Sequence, residues 1–237
     1  MSKHSILAVF GMLLLAALAL TPVRAEEPGR GLTARFEQRY LEFIIDHHYA
    51  ALRMTELAAG RNAFRSAGIS PLEGTAPTPG TAGTTARSRS ADIRSLARRN
   101  NRAQREEILK AQSFLKAWYG TEHRPELRPE NQAQIALLEQ APAGPAFDHL
   151  FLEVFSRHHF TALAPSAGCQ AASDVAHTSL HRYCAGIVHA QLNDIADMRE
   201  MLCKRFQICD YQPVVGLKGR HSGGDGSLYV DQSAGGM

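Results

Sequence analysis

The chain has 237 residues, a length that suits one domain or two small domains sharing a core. Its formal net charge is +3, and loss of residues 1–25 would remove Lys3 and Arg24 but no acidic residue, which lowers the charge by two, to +1. A nearly neutral chain has no electrostatic footprint for nucleic acid, so we expect no nucleic-acid partner. No segment after residue 25 is apolar enough to cross a bilayer.

The first 25 residues have the pattern of a secretory signal peptide. Lys3 provides a charged start, residues 6–20 form an uncharged apolar run, and Ala25 supplies the small residue of a cleavage junction. The alternative is an uncleaved membrane anchor, but the run is shorter than the roughly 20 residues that a membrane span needs. We therefore predict cleavage after Ala25, a mature chain that begins at Glu26, and a periplasmic or secreted location.

The chain contains a duplicated pattern in which a glutamate precedes a His-His pair by five and six positions. In each copy a later helical segment is built around a glutamine. Internal repeats of this kind set the architecture, so the two copies predict two equivalent structural units. The members are Glu42, His47, His48 and Gln104 in the first copy, and Glu153, His158, His159 and Gln191 in the second.

The apolar periodicity predicts an all-α protein made of four long helices and one short helix. Thr33 and Ser173 are the expected N-caps of the first and fourth helices, Gly120 ends the second, and Pro165 stops the third. Two antiparallel helical hairpins of this size form a four-helix bundle. The predicted helices cover residues 33–59, 91–119, 131–140, 145–164 and 173–205.

The domain organisation follows from the repeat. We expect the first His-His hairpin at residues 26–120, a connector at 121–145 and the second hairpin at 146–210. Residues 68–90 are rich in Gly, Pro, Thr, Ser and Ala, lack an apolar period and have no counterpart in the second copy, which predicts an exposed, disordered insertion. Residues 211–237 are predicted to form a mobile tail.

Four cysteines stand in the second half of the chain. In an exported protein an even number favours two disulfides, and four cysteines allow three pairings. We expect Cys203 to pair with Cys209, because a helix end can meet the segment just after it, which leaves Cys169 for Cys184. The alternative is that Cys184 remains a thiolate and ligates a metal.

The fourth predicted helix carries a seam with alternating spacings of four and three residues, but its first half is His177, His181 and Cys184. Polar groups in a core are unfavourable without partners. A turn near Gly168 would place His181 opposite the second His-His pair. Each of these histidines could instead be satisfied by a backbone carbonyl, a carboxylate or water.

We predict that His177 and His181, one turn apart on one helix face, form the strongest metal-binding element. The facing helix would complete it with His158 or His159, Glu153 would orient a ligand histidine, and Cys184 would add a sulfur if it is free. The first repeat has Ser90 and Arg94 at the matched positions. We therefore expect the second hairpin to bind tightly and the first pair, His47 and His48, to contribute little.

The pattern resembles the domain of unknown function 305 family over about residues 35–119 and 146–206. The residues that carry the resemblance are Phe147, Asp148, Phe151, Leu152, Glu153, His158, His159, Ala162, Gln191, Asp194, Ile195 and Met198. Members of this family are mostly exported bacterial proteins with a ferritin-like helical bundle, and some are implicated in copper binding and copper tolerance. The resemblance therefore implies a ferritin-like four-helix bundle and copper as the metal.

The methionines of the family pattern are only partly present. Met54 occupies the position after the first His-His pair, where the second repeat has Pro165, and Met198 occupies the late position, where the first repeat has Ala111. Thioethers suit Cu(I), so a site richer in histidine favours Cu(II), zinc or nickel.

Three functions are compatible with these residues. The first is an exported copper-binding protein for buffering, trafficking or tolerance, with iron as a less favoured metal. The second is an envelope structural or interaction protein without a metal and with an unknown partner. The third is a di-iron oxidase, which we do not expect because no bundle helix carries the Glu-x-x-His motif of that chemistry.

Overall fold

The computed structural model of the chain describes residues 29–61, 75, 78–79 and 81–213. The predicted signal peptide, part of the predicted insertion and most of the predicted tail lie outside these residues. The described part of the chain is all helical apart from one isolated bridge between Arg61 and Thr75, which confirms the predicted fold class. None of its helices combines the length and apolar character that crossing a bilayer requires.

The described residues form five α-helices and one π-helical turn. The second helix ends at the π-turn, and Gly120 closes it in the left-handed conformation with a φ of 64°. Ser90 is its N-cap, because the Ser90 side chain accepts a hydrogen bond from the backbone of Ile93. The elements are α1 Gly31–Ala59, α2 Ala91–Phe114, the π-turn Leu115–Tyr119, α3 Pro129–Gln140, α4 Pro145–Ala171 and α5 Thr178–Phe206.

The two predicted hairpins are present. Helix α1 packs along α2, α4 packs along α5, and a smaller contact between α1 and α4 joins the hairpins. The short α3 lies against α1 and α4. Apolar side chains fill two buried clusters, one around Phe147, Phe151 and Phe155 and the other around Leu41 and Ile44.

Helix α4 continues through Pro165 to Ala171, so the prediction that Pro165 stops it is wrong. A proline inside a helix costs about 3 kcal/mol. Packing beyond the proline offsets that cost. Ser166 is buried and its hydroxyl lies 3.0 Å from the hydroxyl of Tyr40 on α1. Cys169 is buried and bonded to Cys184 on α5. The turn between α4 and α5 therefore falls at residues 172–177, and the N-cap of α5 is His177 rather than Ser173.

Two disulfides stabilise the second hairpin, and both predicted pairings are confirmed. Cys169 pairs with Cys184 across α4 and α5. Cys203 pairs with Cys209, which follows the end of α5. Cys184 therefore has no thiolate to offer a metal, and the alternative in which it is a free ligand is wrong.

The described end of the predicted insertion is ordered, contrary to the prediction for residues 81–90. The backbone N–H of Arg87 donates to the carbonyl of Leu57 at 2.9 Å, and the carbonyl of Arg87 accepts from Gly144 at 2.9 Å. Ser88 is buried. Gly60 allows this approach: its φ is 80°, and a Cβ there would lie 2.9 Å from the nitrogen of Ala86. This segment thus links the end of α1 to the start of α4.

Candidate functional site

The two His-His pairs meet at the contact between α1 and α4. The rings of His47 and His158 stack with centroids 3.8 Å apart and planes 16° from parallel. Nε2 of His47 lies 2.9 Å from the carbonyl oxygen of His158, to which it donates. Buried alanines, Ala51 and Ala162, follow each stacked histidine by four residues and leave room for the rings between the helices. The matched positions of the repeat thus form one shared site.

All four histidines of this site are buried. His48 and His159 are 0% exposed, His158 is 1% exposed and His47 is 4% exposed. The four side chains lie along the helices between the two apolar clusters, in a region where uncompensated charge would be costly. We call His47, His48, His158 and His159 the four-histidine cluster.

Each repeat places one carboxylate on the second histidine of its own pair. His48 Nε2 lies 2.9 Å from Oε2 of Glu107, and His159 Nε2 lies 3.5 Å from Oδ2 of Asp194. Glu107 and Asp194 each follow the shared glutamine of their repeat by three positions. Their side chains are 23% and 22% exposed, so they connect buried rings with the outside of the bundle.

Sequence reasoning did not assign these two carboxylates to the site. The sequence does contain a signal for them. Each repeat has an acidic residue three positions after its glutamine, and in each repeat that residue contacts the second histidine of the pair. Glu153, which was expected to orient a ligand histidine, instead lies 3.2 Å from His149 on the surface of α4, so that expectation is wrong.

Three ring nitrogens of the cluster have neither a hydrogen-bond nor an ion-pair partner within the described residues: Nδ1 of His47, Nδ1 of His48 and Nε2 of His158. A fourth, Nε2 of His48, has only its ion-pair contact with Glu107. Burial lowers the pKa of His47 well below its usual value, and repulsion from His48 adds to this. Burial and repulsion from His47 likewise hold the pKa of His158 well below its usual value. Both rings are therefore neutral near pH 7, which is the form that ligates metals.

Neutral imidazole nitrogens are suitable ligands for a metal ion, but in this structure they do not converge on one position. Within the described residues, no group of three or more His, Cys, Asp or Glu side chains is positioned to hold an ion. The lone pairs of His47 and His158 lie in two ring planes that are 16° from parallel, with ring centroids 3.8 Å apart. Nitrogen ligands converge on an ion at about 2 Å, so one of the stacked rings must turn before both can bind it.

The structure separates His177 and His181 from the cluster. His159 is level with Asp194, and Cys169 is level with Cys184. In this register His181 lies about 20 Å along the bundle from His159, given a rise of about 1.5 Å per residue. The expectation that His181 faces the second pair is wrong, because it assumed a turn near Gly168 instead of residues 172–177.

His177 belongs to a different buried network. Its Nδ1 donates to Oε2 of Glu37 at 2.6 Å, and its ring lies flat on Trp118 with centroids 3.7 Å apart. Tyr119 donates to the same carboxylate. Both Glu37 and His177 are fully buried. This network attaches the α4–α5 turn to α1 and to the π-turn.

The two methionines of the family pattern, Met54 and Met198, which the resemblance implies as metal ligands, are both fully buried in the cluster around Phe147. The described structure therefore places them in the apolar core.

The fold and the repeated site define a helical-bundle protein built from two copies of a histidine-paired hairpin. A family model described as "Domain of unknown function (DUF305)" matches residues 81–202, which is 122 of the 237 residues. The chain belongs to this family, which confirms the resemblance found in the sequence.

Two solved structures are similar to the chain. "Crystal structure of DUF305 fragment from Deinococcus radiodurans" aligns with a TM-score of 0.53 and 22% identity, over 75% of this chain and 99% of the other. "CopM in the Cu(II)-bound form" aligns with a TM-score of 0.50 and 16% identity, over 71% of this chain and 96% of the other. Identities this low support a common fold. A comparison with curated proteins finds no match.

Proposed function

We propose that this chain is an exported metal-binding protein that handles copper, as a buffer or a carrier. The observation that carries the proposal is the four-histidine cluster, in which three buried ring nitrogens have no partner among the described residues. Unpartnered polar atoms in a core are unfavourable, and a bound ion would satisfy them. The similar structure of CopM is in the Cu(II)-bound form, so copper is the first metal to test.

The residues that would hold the ion are His47, His48 and His158, since each has a free ring nitrogen. Neutral imidazole suits Cu(II), zinc and nickel. Glu107 would support His48 from the solvent side, because a carboxylate on the other edge of a ligand imidazole fixes its orientation. The bound ion would supply charge to a site that is otherwise neutral at His47 and His158.

Export is part of the proposal. The first 25 residues have the pattern of a signal peptide. The two disulfides are typical of proteins that fold in an oxidising compartment. A periplasmic or secreted location agrees with both observations.

We favour binding over catalysis. A di-iron oxidase needs glutamates that converge on two metals together with Glu-x-x-His motifs. Here Glu107 and Asp194 are each engaged with a histidine. Glu153 is engaged with a histidine that stands four residues before it. None of these pairs has the spacing of that motif.

A second candidate is a metal-free envelope protein in which the cluster serves the fold alone. The observation that favours it is the flat stack of His47 on His158, which needs no ion to be compact. Such a protein would act through a partner that binds its outer surface.

Elemental analysis distinguishes the two candidates. Untagged protein is purified from the periplasm of cells grown with added copper, zinc or iron. A His47→Gln/His158→Gln variant is prepared in the same way as a matched control. Copper retained at about one ion per wild-type chain, and lost from the variant, supports the proposal. Absence of metal from both proteins under all conditions supports the second candidate, and paired iron would favour the oxidase.

A further inference from the structure

The two repeats differ at one buried position beside the four-histidine cluster. Asn100 on α2 is 3% exposed and lies four residues before the shared glutamine of the first repeat. The matched position of the second repeat is Ile187, which is 1% exposed and has no polar side-chain atom. An amide therefore acts on one half of the site only.

The side chain of Asn100 reaches across to the second repeat. Its Oδ1 lies 3.0 Å from Nε2 of His159 and accepts a hydrogen bond from Gln104 at 3.2 Å. Its Nδ2 donates to Asp194 at 3.1 Å and to the carbonyl of Leu96 at 3.3 Å. Both partners of Nδ2 are acceptors, which fixes the orientation of the amide. Oδ1 must then face His159, so Nε2 of His159 donates to it.

Both ring nitrogens of His159 are therefore occupied. Nδ1 lies 2.9 Å from the carbonyl oxygen of Phe155, which can only accept a hydrogen bond. Nε2 faces Oδ1 of Asn100. A neutral imidazole carries one N–H, so only one of these two contacts is a hydrogen bond donated by the ring. The lone pair of the other nitrogen faces an oxygen, so neither nitrogen is open to an ion.

His48, the matched residue of the first repeat, is held much less firmly. Its Nδ1 has no partner among the described residues. Its Nε2 lies 2.9 Å from Glu107, but the angle of that contact is not that of a hydrogen bond. Ile187, the residue of the second repeat that corresponds to Asn100, has no polar side-chain atom that could hold His48. His48 is thus free to turn toward an ion while His159 is not.

We infer that Asn100 is a positioning residue that reserves His159 for the fold and confines ion binding to His47, His48 and His158. This assignment rests on the proposed metal binding. It reverses the expectation from sequence that the second hairpin binds and the first contributes little. It also explains why the cluster contains four histidines but only three with free nitrogens.

The hydrogen bond from His159 to Asn100 can be tested without metal, on the full-length mature protein. Nitrogen-15 NMR of the histidine rings identifies which nitrogens carry a proton. In the wild type we expect a protonated, slowly exchanging Nε2 on His159, and we expect this signature to be lost in Asn100→Leu, a substitution of similar size. An unprotonated Nε2 on His159 in the wild type would overturn the inference, whatever the behaviour of copper.

Titration with copper(II) sulfate tests whether the ion is bound by His47, His48 and His158 but not by His159. We expect His48→Gln to weaken binding by at least about tenfold and His159→Gln by less than about threefold. In the Asn100→Leu background His159 is released, so there His159→Gln should weaken binding by more than about threefold. Circular dichroism at the same pH checks that each variant is folded.

The outcomes separate the two proposals. A loss in His159→Gln as large as that in His48→Gln would overturn the assignment while leaving copper binding intact. A wild type that binds no copper would overturn the proposed function and the ion-binding part of the inference together. The NMR signature of His159 would then still decide whether Asn100 holds that ring.

Discussion

His47 and His158 lie face to face at the contact between the two hairpins, with ring centroids 3.8 Å apart. Two protonated rings in this arrangement would place like charges in contact inside the core. Burial and neighbouring histidines lower the pKa of both residues, so the stack is made of neutral rings. The stability of the metal-free protein must therefore depend on pH.

The first prediction is a loss of stability in mild acid. Histidine in the unfolded chain has a pKa of about 6.5. Below that pH the unfolded chain binds protons that folded His47 and His158 exclude. The free energy of unfolding should therefore fall as the pH drops from about 6.5 toward their lowered folded-state pKa, by up to about 1.4 kcal/mol per pH unit for each ring. Urea unfolding at pH 7.5 and pH 5.0 measures this fall in the free energy of unfolding.

Other groups also titrate in this range, so the pH prediction needs a matched variant. His47→Gln/His158→Gln removes both rings and should show a smaller loss of stability between the two pH values. An equal loss in wild type and variant would show that the stacked rings do not cause it.

The second prediction contrasts the two histidines that the sequence paired as ligands. His177→Ala removes the partner of Glu37 and leaves a buried carboxylate with fewer donors, so it should cost about 3 kcal/mol. His181 is only partly buried. Its replacement by alanine should change stability by less than about 0.5 kcal/mol. Thermal unfolding of both variants in parallel measures the difference. Equal effects would mean that the network around Glu37 contributes little.

The sequence predicted the metal site at His177 and His181, and this error has one cause, the treatment of Pro165 as the end of α4. Pro165 is a strong stop signal in any reading of a single segment. Its effect is overridden by the Tyr40–Ser166 contact and the Cys169–Cys184 disulfide, which join residues far apart in sequence or on different helices. Extending α4 to Ala171 moved the turn and changed which α5 residues face the His-His pair.

The two hairpins and one disulfide could be predicted from local sequence patterns. The His-His duplication predicted the two hairpins, because helical period and matched spacing are local properties. The pairing of Cys203 with Cys209 followed from their closeness at a helix end. Asn100, in contrast, acts across the repeats on His159, 59 positions away in the chain. No spacing rule within one helix reveals such a contact.

The third prediction concerns the two disulfides. In the loop-entropy model, closing a longer loop stabilises more. The Cys169–Cys184 bridge has a sequence separation of 15 and the Cys203–Cys209 bridge one of 6. Replacing both cysteines of a bridge by alanine should therefore cost about 3 kcal/mol for the first and about 2 kcal/mol for the second. Calorimetric unfolding of the two double variants measures this order. A larger loss for the shorter loop would contradict it.

The fourth prediction concerns Glu56, which anchors the described part of the insertion. Its Oε1 accepts hydrogen bonds from the backbone and hydroxyl of Thr78. Burial raises the pKa of Glu56, more than those hydrogen bonds lower it. A raised carboxyl pKa contributes stability at low pH that is lost as the pH rises through the folded-state value.

Replacement of Glu56 by glutamine keeps an oxygen for Thr78 and removes the charge. We expect Glu56→Gln to melt at an equal or higher temperature than wild type at pH 7, and the difference to shrink at pH 4. Melting curves at both pH values provide the measurement. A clear loss of stability at pH 7 would indicate that the ionised carboxylate is favourable there.

The most direct test of metal binding by the four-histidine cluster is electron paramagnetic resonance of protein loaded with one equivalent of Cu(II). Wild type is compared with His47→Gln/His158→Gln and with His177→Gln/His181→Gln. We predict nitrogen hyperfine coupling from imidazole ligands in wild type and in the second variant, and its loss in the first. Retention of the coupling in the first variant, or its loss only in the second, would contradict the account.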